Sequence, residues 1–297
     1  MDPVDIGIKK ALEKLVANIE KGEGILFLGA GVHAPPPKKS PYSYPKGQRP
    51  PLGGDLAEEL AKDCGFKEQF PKESPRDLQR VSLCFETTLG RKSLVDALET
   101  YLKVGKKPSP VLKMLAALPF KIIITTNYDR LLDDALKEAD KHPVRIVYSP
   151  KSGERTEDMA PDPTAERPLL FKMHGDLDQR ESIVVTDEDY ITFVQRMTEK
   201  EATHPVPMTI RFRMQRWPTV FVGYSLRDYN LRLLFRTLRW RVDKADVPTS
   251  FAVDRNPDPL ILKVWQDERK FVTFVTQDLW TFVPWLFNAV HGKEYPA

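Results

Sequence analysis

The stretch KIIITTNYD, Lys121 to Asp129, decides the fold. Three isoleucines followed by two threonines make a short apolar, β-branched run, the composition of a strand buried on both faces. The run ends in polar residues. In an open α/β sheet ligands sit beyond the carboxyl ends of the strands, which is where Thr126, Asn127 and Asp129 fall. Two roles are open for Asn127. Either Asn127-Tyr128-Asp129 caps the helix that follows, DRLLDDALKEA, or Asn127 faces a ligand from the end of its strand.

Upstream, the apolar residues Ile8, Leu12, Leu15, Val16 and Ile19 recur at helical spacing and predict an amphipathic helix ending near Gly22. The segment GILFLGAGVHA then places a buried strand at Ile25 to Leu28 and a tight turn at Gly29, Ala30 and Gly31, small enough for backbone amides to approach a phosphate. The spacing satisfies the G-x-G-x-x-A dinucleotide pattern, but a dehydrogenase continues from that turn straight into a helix. Here the chain enters APPPKKSPYSYPKGQRPP, whose seven prolines no helix tolerates. The Pro-rich loop, residues 34–54, is open to three readings: a solvated loop, a lid over a bound molecule, or a recognition segment for a partner.

Helical patterns resume at Asp55 and continue through RDLQRVSLCFETTL, KSLVDALETYL and PVLKMLAAL without a strand signal. They predict a helical insert over residues 55–118, with Cys84 and Met114 packed inside it. Beyond KIIITTNYD come the strand VRIVYS, a polar loop over 150–168, and LLFKMHGD, a strand ending at His174. SIVVTDEDYITFVQRM reads as a short strand and a helix capped near Thr186 or Asp187, followed by a helical, basic region to Trp217. TVFVGYSLRDYN is a strand ending in Gly223, Tyr224 and Ser225. The helix after it, running to about Val242, carries Arg232, Arg236 and Arg239 on one face, either solvated or a contact surface. SFAVDRN, LILKVWQD, KFVTFVT and WTFVPWLFNAV add strand, helix, strand and helix. This alternation predicts a single α/β domain over residues 1–297, a Rossmann-like parallel sheet with helices on both faces and helical inserts.

The totals narrow the function. A net charge of +3 from 45 basic and 42 acidic residues neither demands nor excludes a nucleic-acid partner. Two cysteines, Cys64 and Cys84, cannot build a four-cysteine zinc site, so free thiols and no metal are expected. The N-terminus lacks the apolar core of a signal peptide, and no stretch approaches the ~18 apolar residues of a membrane span. A cytoplasmic protein without a membrane partner is expected.

In a parallel sheet the strand ends share one rim, so Gly29-Ala30-Gly31, Asn127, Asp129, His174 and Gly223-Tyr224-Ser225 are expected to converge. The ordered set GAG, TTNYD, HGD and GYSxxD resembles the sirtuin-like domains of bacterial defence systems and, more distantly, the sirtuin deacylases, over roughly Gly24 to Val290. The resemblance implies NAD+ as substrate. It sets the pyrophosphate on Gly29, Ala30 and Gly31, Asn127 beside the nicotinamide ribose with Asp129 supporting the pocket, and His174 as catalytic base. Gly223, Tyr224 and Ser225 would approach the adenosine side, with Asp254 and Asp278 as candidates for ribose and adenine contacts.

The departures are informative. His33 stands where a serine is usual, the deacylase GIPDFR segment is replaced by the Pro-rich loop and PLGGDLAEEL, and the four-cysteine zinc module is missing. NAD+ cleavage needs none of these, because the pyridine leaves as a neutral molecule and general acid assistance is dispensable. Asn127 would orient water or the ribose hydroxyls, and an imidazole titrating near neutral pH would take the proton. The implied activity is an NAD+ hydrolase acting as an antiviral effector through NAD depletion. The rivals are a protein deacylase or ADP-ribosyltransferase, and a non-catalytic module that binds NAD or ADP-ribose. With the chain ending at Ala297, a separately encoded sensor is expected, such as a translocase-type ATPase or an Argonaute-like protein. Nucleic acid would then be met only indirectly, and self-assembly into a homo-oligomer is equally expected.

Overall fold

Alternate residues of the central strands part to opposite faces of one seven-stranded parallel sheet. The computed structural model describes residues 3–151, 162–199, 203–227, 248–265 and 272–296. The strands are β1 (Ile25–Leu28), β2 (Ile122–Thr125), β3 (Val144–Val147), β4 (Leu169–Lys172), β5 (Thr219–Val222), β6 (Ser250–Val253) and β7 (Val272–Val275), in the spatial order β3-β4-β2-β1-β5-β6-β7. Every residue of β1, β2, β4, β5 and β6 is buried, as strands covered on both faces require. This is the expected Rossmann-like α/β architecture.

Eleven helices are described: α1 (Pro3–Glu20), α2 (Gly53–Asp63), α3 (Phe66–Gln69), α4 (Leu78–Leu89), α5 (Arg91–Lys103), α6 (Pro110–Ala117), α7 (Leu131–Glu138), α8 (Asp187–Arg196), α9 (Met208–Met214), α10 (Pro259–Trp265) and α11 (Leu279–His291). Leu26, Leu28, Ile123, Val220 and Val222 form one core with α1, α6, α7 and α11. Ile25, Phe27, Ile122, Ile124 and Phe221 form the other with α8, α9 and α10. The period-two alternation of a strand thus divides each apolar run between two helical layers. No helix among the described residues is long and apolar enough to cross a membrane.

A third core holds α2 to α5 together around Leu56, Leu60, Val81, Phe85, Leu94 and Leu98. Cys84 belongs to it, as expected, but Met114 does not. Met114 lies on α6, whose apolar face packs on the sheet with α7 and α11, so α6 is a crossover helix of the main layer. SIVVT is also not a strand. The carbonyls of Ile183 and Val184 accept from the Arg91 guanidinium and the Tyr128 hydroxyl, and the Val184 amide donates to the His174 carbonyl. Ile183 and Val185 fill the third core, so the β-branched run braces the α2–α5 layer against the sheet. The cap at Thr186 is present, as a capping box with Asp189. The arginine-bearing helix expected after Asn230 lies outside the described residues.

The strand order changes direction beside β1. The chain passes from β1 to β2 on one side, and β5 later inserts on the other, with Ile25 to Leu28 registered against both Ile122 to Thr125 and Thr219 to Val222. Such a switch point opens a crevice beyond the strand ends.

Candidate active site

The crevice is a cleft of about 400 Å³, within the range of small-molecule sites. The turn after β1 supplies Ala30, Gly31 and His33. The turn after β2 supplies Thr126, Asn127, Tyr128 and Asp129, the end of β4 supplies His174, and the turn after β5 supplies Gly223, Tyr224 and Ser225. Of the residues expected to converge, only Gly29 is not on the wall itself, and its carbonyl accepts from the Asn127 side-chain nitrogen Nδ2 at 3.4 Å. Leu56, Leu78 and Leu102 of the α2–α5 layer close the opposite side.

The two glycine turns are locked to each other by backbone. The Gly31 amide donates to the Gly223 carbonyl at 2.8 Å, and Gly223 adopts φ +68°. A Cβ on Gly223 would lie 2.1 Å from the Val32 nitrogen. The small residues therefore serve first to bring the ends of β1 and β5 into contact, and the surface they leave faces the cleft.

Asn127 is turned into the cleft by Thr125, whose hydroxyl accepts from the Asn127 backbone N–H at 3.1 Å and donates to the Leu28 carbonyl at 3.3 Å. Of the Asn127-Tyr128-Asp129 capping reading, the Asp129 part holds and the Asn127 part is corrected. Arg130 is the residue that precedes α7, and the side chain that binds a first-turn amide is Asp129, which accepts from Leu131 at 2.9 Å. Three residues separate Asn127 from the helix start, which frees its side chain for Gly29 and His33.

Asp129 and His33 form a buried pair, Nε2 to Oδ2 3.3 Å. Burial pushes the Asp129 carboxyl up. The charge and hydrogen bond of His33, the Lys172 ammonium and the Leu131 amide overcome this and hold it down at about 2. The other His33 nitrogen, Nδ1, lies 3.5 Å from the hydroxyl of Tyr44. Burial, reinforced by the Asp129 charge, raises the Tyr44 phenol well above its ordinary value.

Tyr44 belongs to the Pro-rich segment, which is pinned in place. Its hydroxyl donates to the Lys107 carbonyl at 2.9 Å, the Lys107 amide donates to Gln48, and the Trp280 indole donates to Ala34. Pro50, Pro51, Leu52 and Gly53, at the far end, line the cleft. The end of the segment thus contributes one wall of the cleft.

His174 is 4 % exposed. Its Nδ1 lies 3.3 Å from the Tyr190 hydroxyl, and its ring meets Tyr190 and Phe193 edge-on with centroids 5.2 Å apart. Two residues earlier on β4, Lys172 is fully buried between the Asp129 carbonyl and the Asp176 carboxylate. Asp254 and Asp278 do not reach the cleft. Asp254 accepts from Asn256 in the turn after β6, and Asp278 caps α11 through the Trp280 amide. Asp228, the last residue of the GYSxxD pattern, lies outside the described residues.

Tyr190, Lys172 and the contacts that His33 makes escape sequence reasoning. Only Lys172 leaves a signal, as a charge in the last position of a strand buried on both faces. The two cysteines sit together in the α2–α5 core, Sγ to Sγ 3.9 Å. Among the described residues no group of three or more His, Cys, Asp or Glu is arranged to hold a metal ion.

Comparison with known proteins gives the same grouping. Defense-associated sirtuin 2 of Bacillus subtilis is 25 % identical over 267 residues, covering 86 % of this chain and 23 % of that protein. NAD(+) hydrolase ThsA of Enterococcus faecium is 26 % identical over 240 residues, covering 78 % of this chain and 43 % of the relative. The protein of the same name from Bacillus cereus is 29 % identical over 127 residues. The chain spans less than half the length of the relatives it matches. The sequence pattern of the SIR2-like domain matches residues 121–273, from the strand that carries Asn127 to the second residue of β7 and just over half of the 297-residue chain, and the protein belongs to that family.

Proposed function

We propose that this chain hydrolyses NAD+ at the bond between ribose C1′ and nicotinamide, releasing nicotinamide, ADP-ribose and a proton. The observation that carries the reading is the meeting of Asn127 and His174 in one cleft with both glycine turns. The pyrophosphate would lie over the backbone of Ala30 and Gly31, and the nicotinamide ribose between Asn127 and His174. As the glycosidic bond breaks, its electron pair goes to the pyridine nitrogen and neutralises the cationic ring, while C1′ becomes oxocarbenium-like. Asn127 orients the ribose hydroxyls or the attacking water.

Water adds to C1′ and gives its proton to His174. The Tyr190 hydroxyl, 3.3 Å from Nδ1, holds the ring in the cleft for that transfer. The names of the relatives, a defence-associated sirtuin and several NAD(+) hydrolases, support this reaction and a role in defence through NAD depletion.

The test is nicotinamide release from NAD+ by the purified chain, with and without an acyl-lysine peptide, compared with Asn127→Ala and His174→Ala. Release that needs no peptide and is lost in both variants is expected. Saturable NAD+ binding with no release under any condition would sink the reading, and release that depends on the peptide would replace hydrolysis with deacylation.

A further inference from the structure

We infer that a second cavity, on the outer side of the Pro-rich segment, binds a ligand carrying a chain of phosphates, and that this ligand tightens the cleft through the backbone of Lys107. The effect on activity rests on the NAD+ cleavage reading; the binding does not.

The cavity holds about 1150 Å³ and shares no lining residue with the cleft. One wall is the Pro-rich segment, at Tyr44 and Gln48. Lys106 and Lys107 on the linker between α5 and α6, Lys113 on α6 and Lys137 on α7 bring four ammonium groups to it, against the carboxylates of Asp134 and Glu138. Lys113 is paired with Glu138 at 2.7 Å. Among the described residues Lys106, Lys107 and Lys137 have no carboxylate in ion-pair contact, so the cavity keeps an excess of positive charge.

A concave site with an excess of one charge concentrates the opposite one, because its low-dielectric walls focus the field. Ammonium groups are compact point charges that suit phosphate oxygens from any direction. The four stand on three separate elements around one hollow, an arrangement that favours a chain of phosphates over a single one. A nucleic-acid strand calls for a basic track that continues past one hollow. Here Asp134 and Glu138 stand within the cavity, and the 45 basic and 42 acidic residues of the chain nearly balance.

The backbone of Lys107 is also the clamp on the Pro-rich segment. Its carbonyl accepts from the Tyr44 hydroxyl at 2.9 Å, and its N–H donates to the Gln48 carbonyl at 3.0 Å. Pro50 to Gly53, just beyond Gln48, wall the cleft. Tyr44 itself reaches the site, with its hydroxyl 3.5 Å from the Nδ1 of His33, whose Nε2 meets Asp129. A ligand that holds the Lys106 and Lys107 side chains therefore holds the clamp. A firmer wall favours the occupied cleft without touching the bond that breaks, so the coupling is read in KM rather than in kcat.

The test is calorimetric titration of the full chain with sodium tripolyphosphate and, separately, with guanosine triphosphate. The parent is compared with the double variant Lys106→Gln, Lys107→Gln, which keeps the backbone bonds of the clamp and removes both charges. Tripolyphosphate is expected to bind with a Kd of about 10–100 µM and about tenfold more weakly in the double variant. Excess ADP-ribose, which occupies the cleft, should not displace it. Equal binding of the two probes identifies the phosphate chain alone as the feature recognised, and tighter binding of guanosine triphosphate adds a nucleoside to it. In nicotinamide release, a saturating probe should lower KM for NAD+ about threefold with kcat unchanged, and should have no effect in the double variant. Absence of binding, binding untouched by the double substitution, or displacement by ADP-ribose would overturn the site. So would a single-stranded DNA oligonucleotide that binds where tripolyphosphate does not. An unchanged KM with the probe bound would overturn the coupling. If the parent chain releases no nicotinamide, the cleavage reading fails while calorimetry still decides the site.

Discussion

The ammonium of Lys172, two residues ahead of His174, rests on the main-chain carbonyl of Asp129, two residues past Asn127. Its second partner is the Asp176 carboxylate at 3.7 Å, and Lys172 and Asp176 are both fully buried. One side chain therefore ties the turn that carries Asn127 to the turn that carries His174.

Replacing Lys172 with Met keeps the stem and removes the charge. Asp176 is then left with Arg145 at 3.4 Å as its remaining close cation. Breaking a buried pair from one side costs about 3 kcal/mol. Urea unfolding of Lys172→Met should show a loss of that size, and nicotinamide release should fall in the fraction that remains folded. A variant as stable as the parent would mean that Lys172 is not a brace.

Tyr190→Phe should leave stability nearly unchanged and slow nicotinamide release. The ring still packs edge-on against His174, but the hydroxyl that bonds Nδ1 and fixes the ring's orientation is gone. A loss of about tenfold in kcat, with little change in KM, is expected from a misoriented general base. Steady-state kinetics decide it, and an unaltered kcat would remove Tyr190 from the site.

Gly223→Ala should be among the most damaging small substitutions in the chain. The residue has φ +68°, and its Cβ would sit 2.1 Å from the Val32 nitrogen, so the ends of β1 and β5 would have to part. A loss of about 3 kcal/mol or more in thermal or urea unfolding is expected, together with weaker NAD+ binding. Equal stability would mean that the two turns do not need their close approach.

Acid should act through Asp129. Its carboxyl is held at about 2 in the folded chain against an ordinary 3.8, so the contribution of the ionised form is present above pH 3.8 and is lost as pH falls toward 2. The depression corresponds to about 2 kcal/mol. Unfolding free energy measured between these limits should fall less steeply in Asp129→Asn than in the parent chain. Parallel curves would locate the acid sensitivity elsewhere.

Burial first, and then the neighbouring Cys84, push the Cys64 thiol up to about 12. Thiolate, the reactive form, is therefore scarce at neutral pH. A thiol reagent should modify Cys64 in denaturant and barely at all in the native chain. Fast native labelling would mean that the α2–α5 layer opens readily.

The sheet and the strand-end motifs are legible because a strand buried on both faces leaves polar residues only at its end. Ile122 to Thr125 and Leu169 to Phe171 advertise burial, and Asn127 and His174 stand out where it stops. Long-range relations are not legible in the same way. His33 meets Asn127 across 94 positions, and nothing local marks a histidine after a glycine turn as facing a carboxylate. Helical spacing shows that Met114 is apolar-facing but not whether that face meets the insert or the sheet. Ile183 to Val185 have strand composition, yet Arg91 and Tyr128 take two of their carbonyls.

The position of β1 has a consequence in time. Its partners are β2 and β5, so the residue pairs Ile25 with Ile122 and Ile25 with Thr219 must both close before the cleft exists. Contacts of such long sequence separation form late, after local helices and hairpin-like units. During synthesis the glycine turn after β1 emerges early, but it meets Gly223 only when β5 has left the ribosome. A nascent chain that has reached α7 already carries Gly29, Asn127 and Asp129, and it has no site.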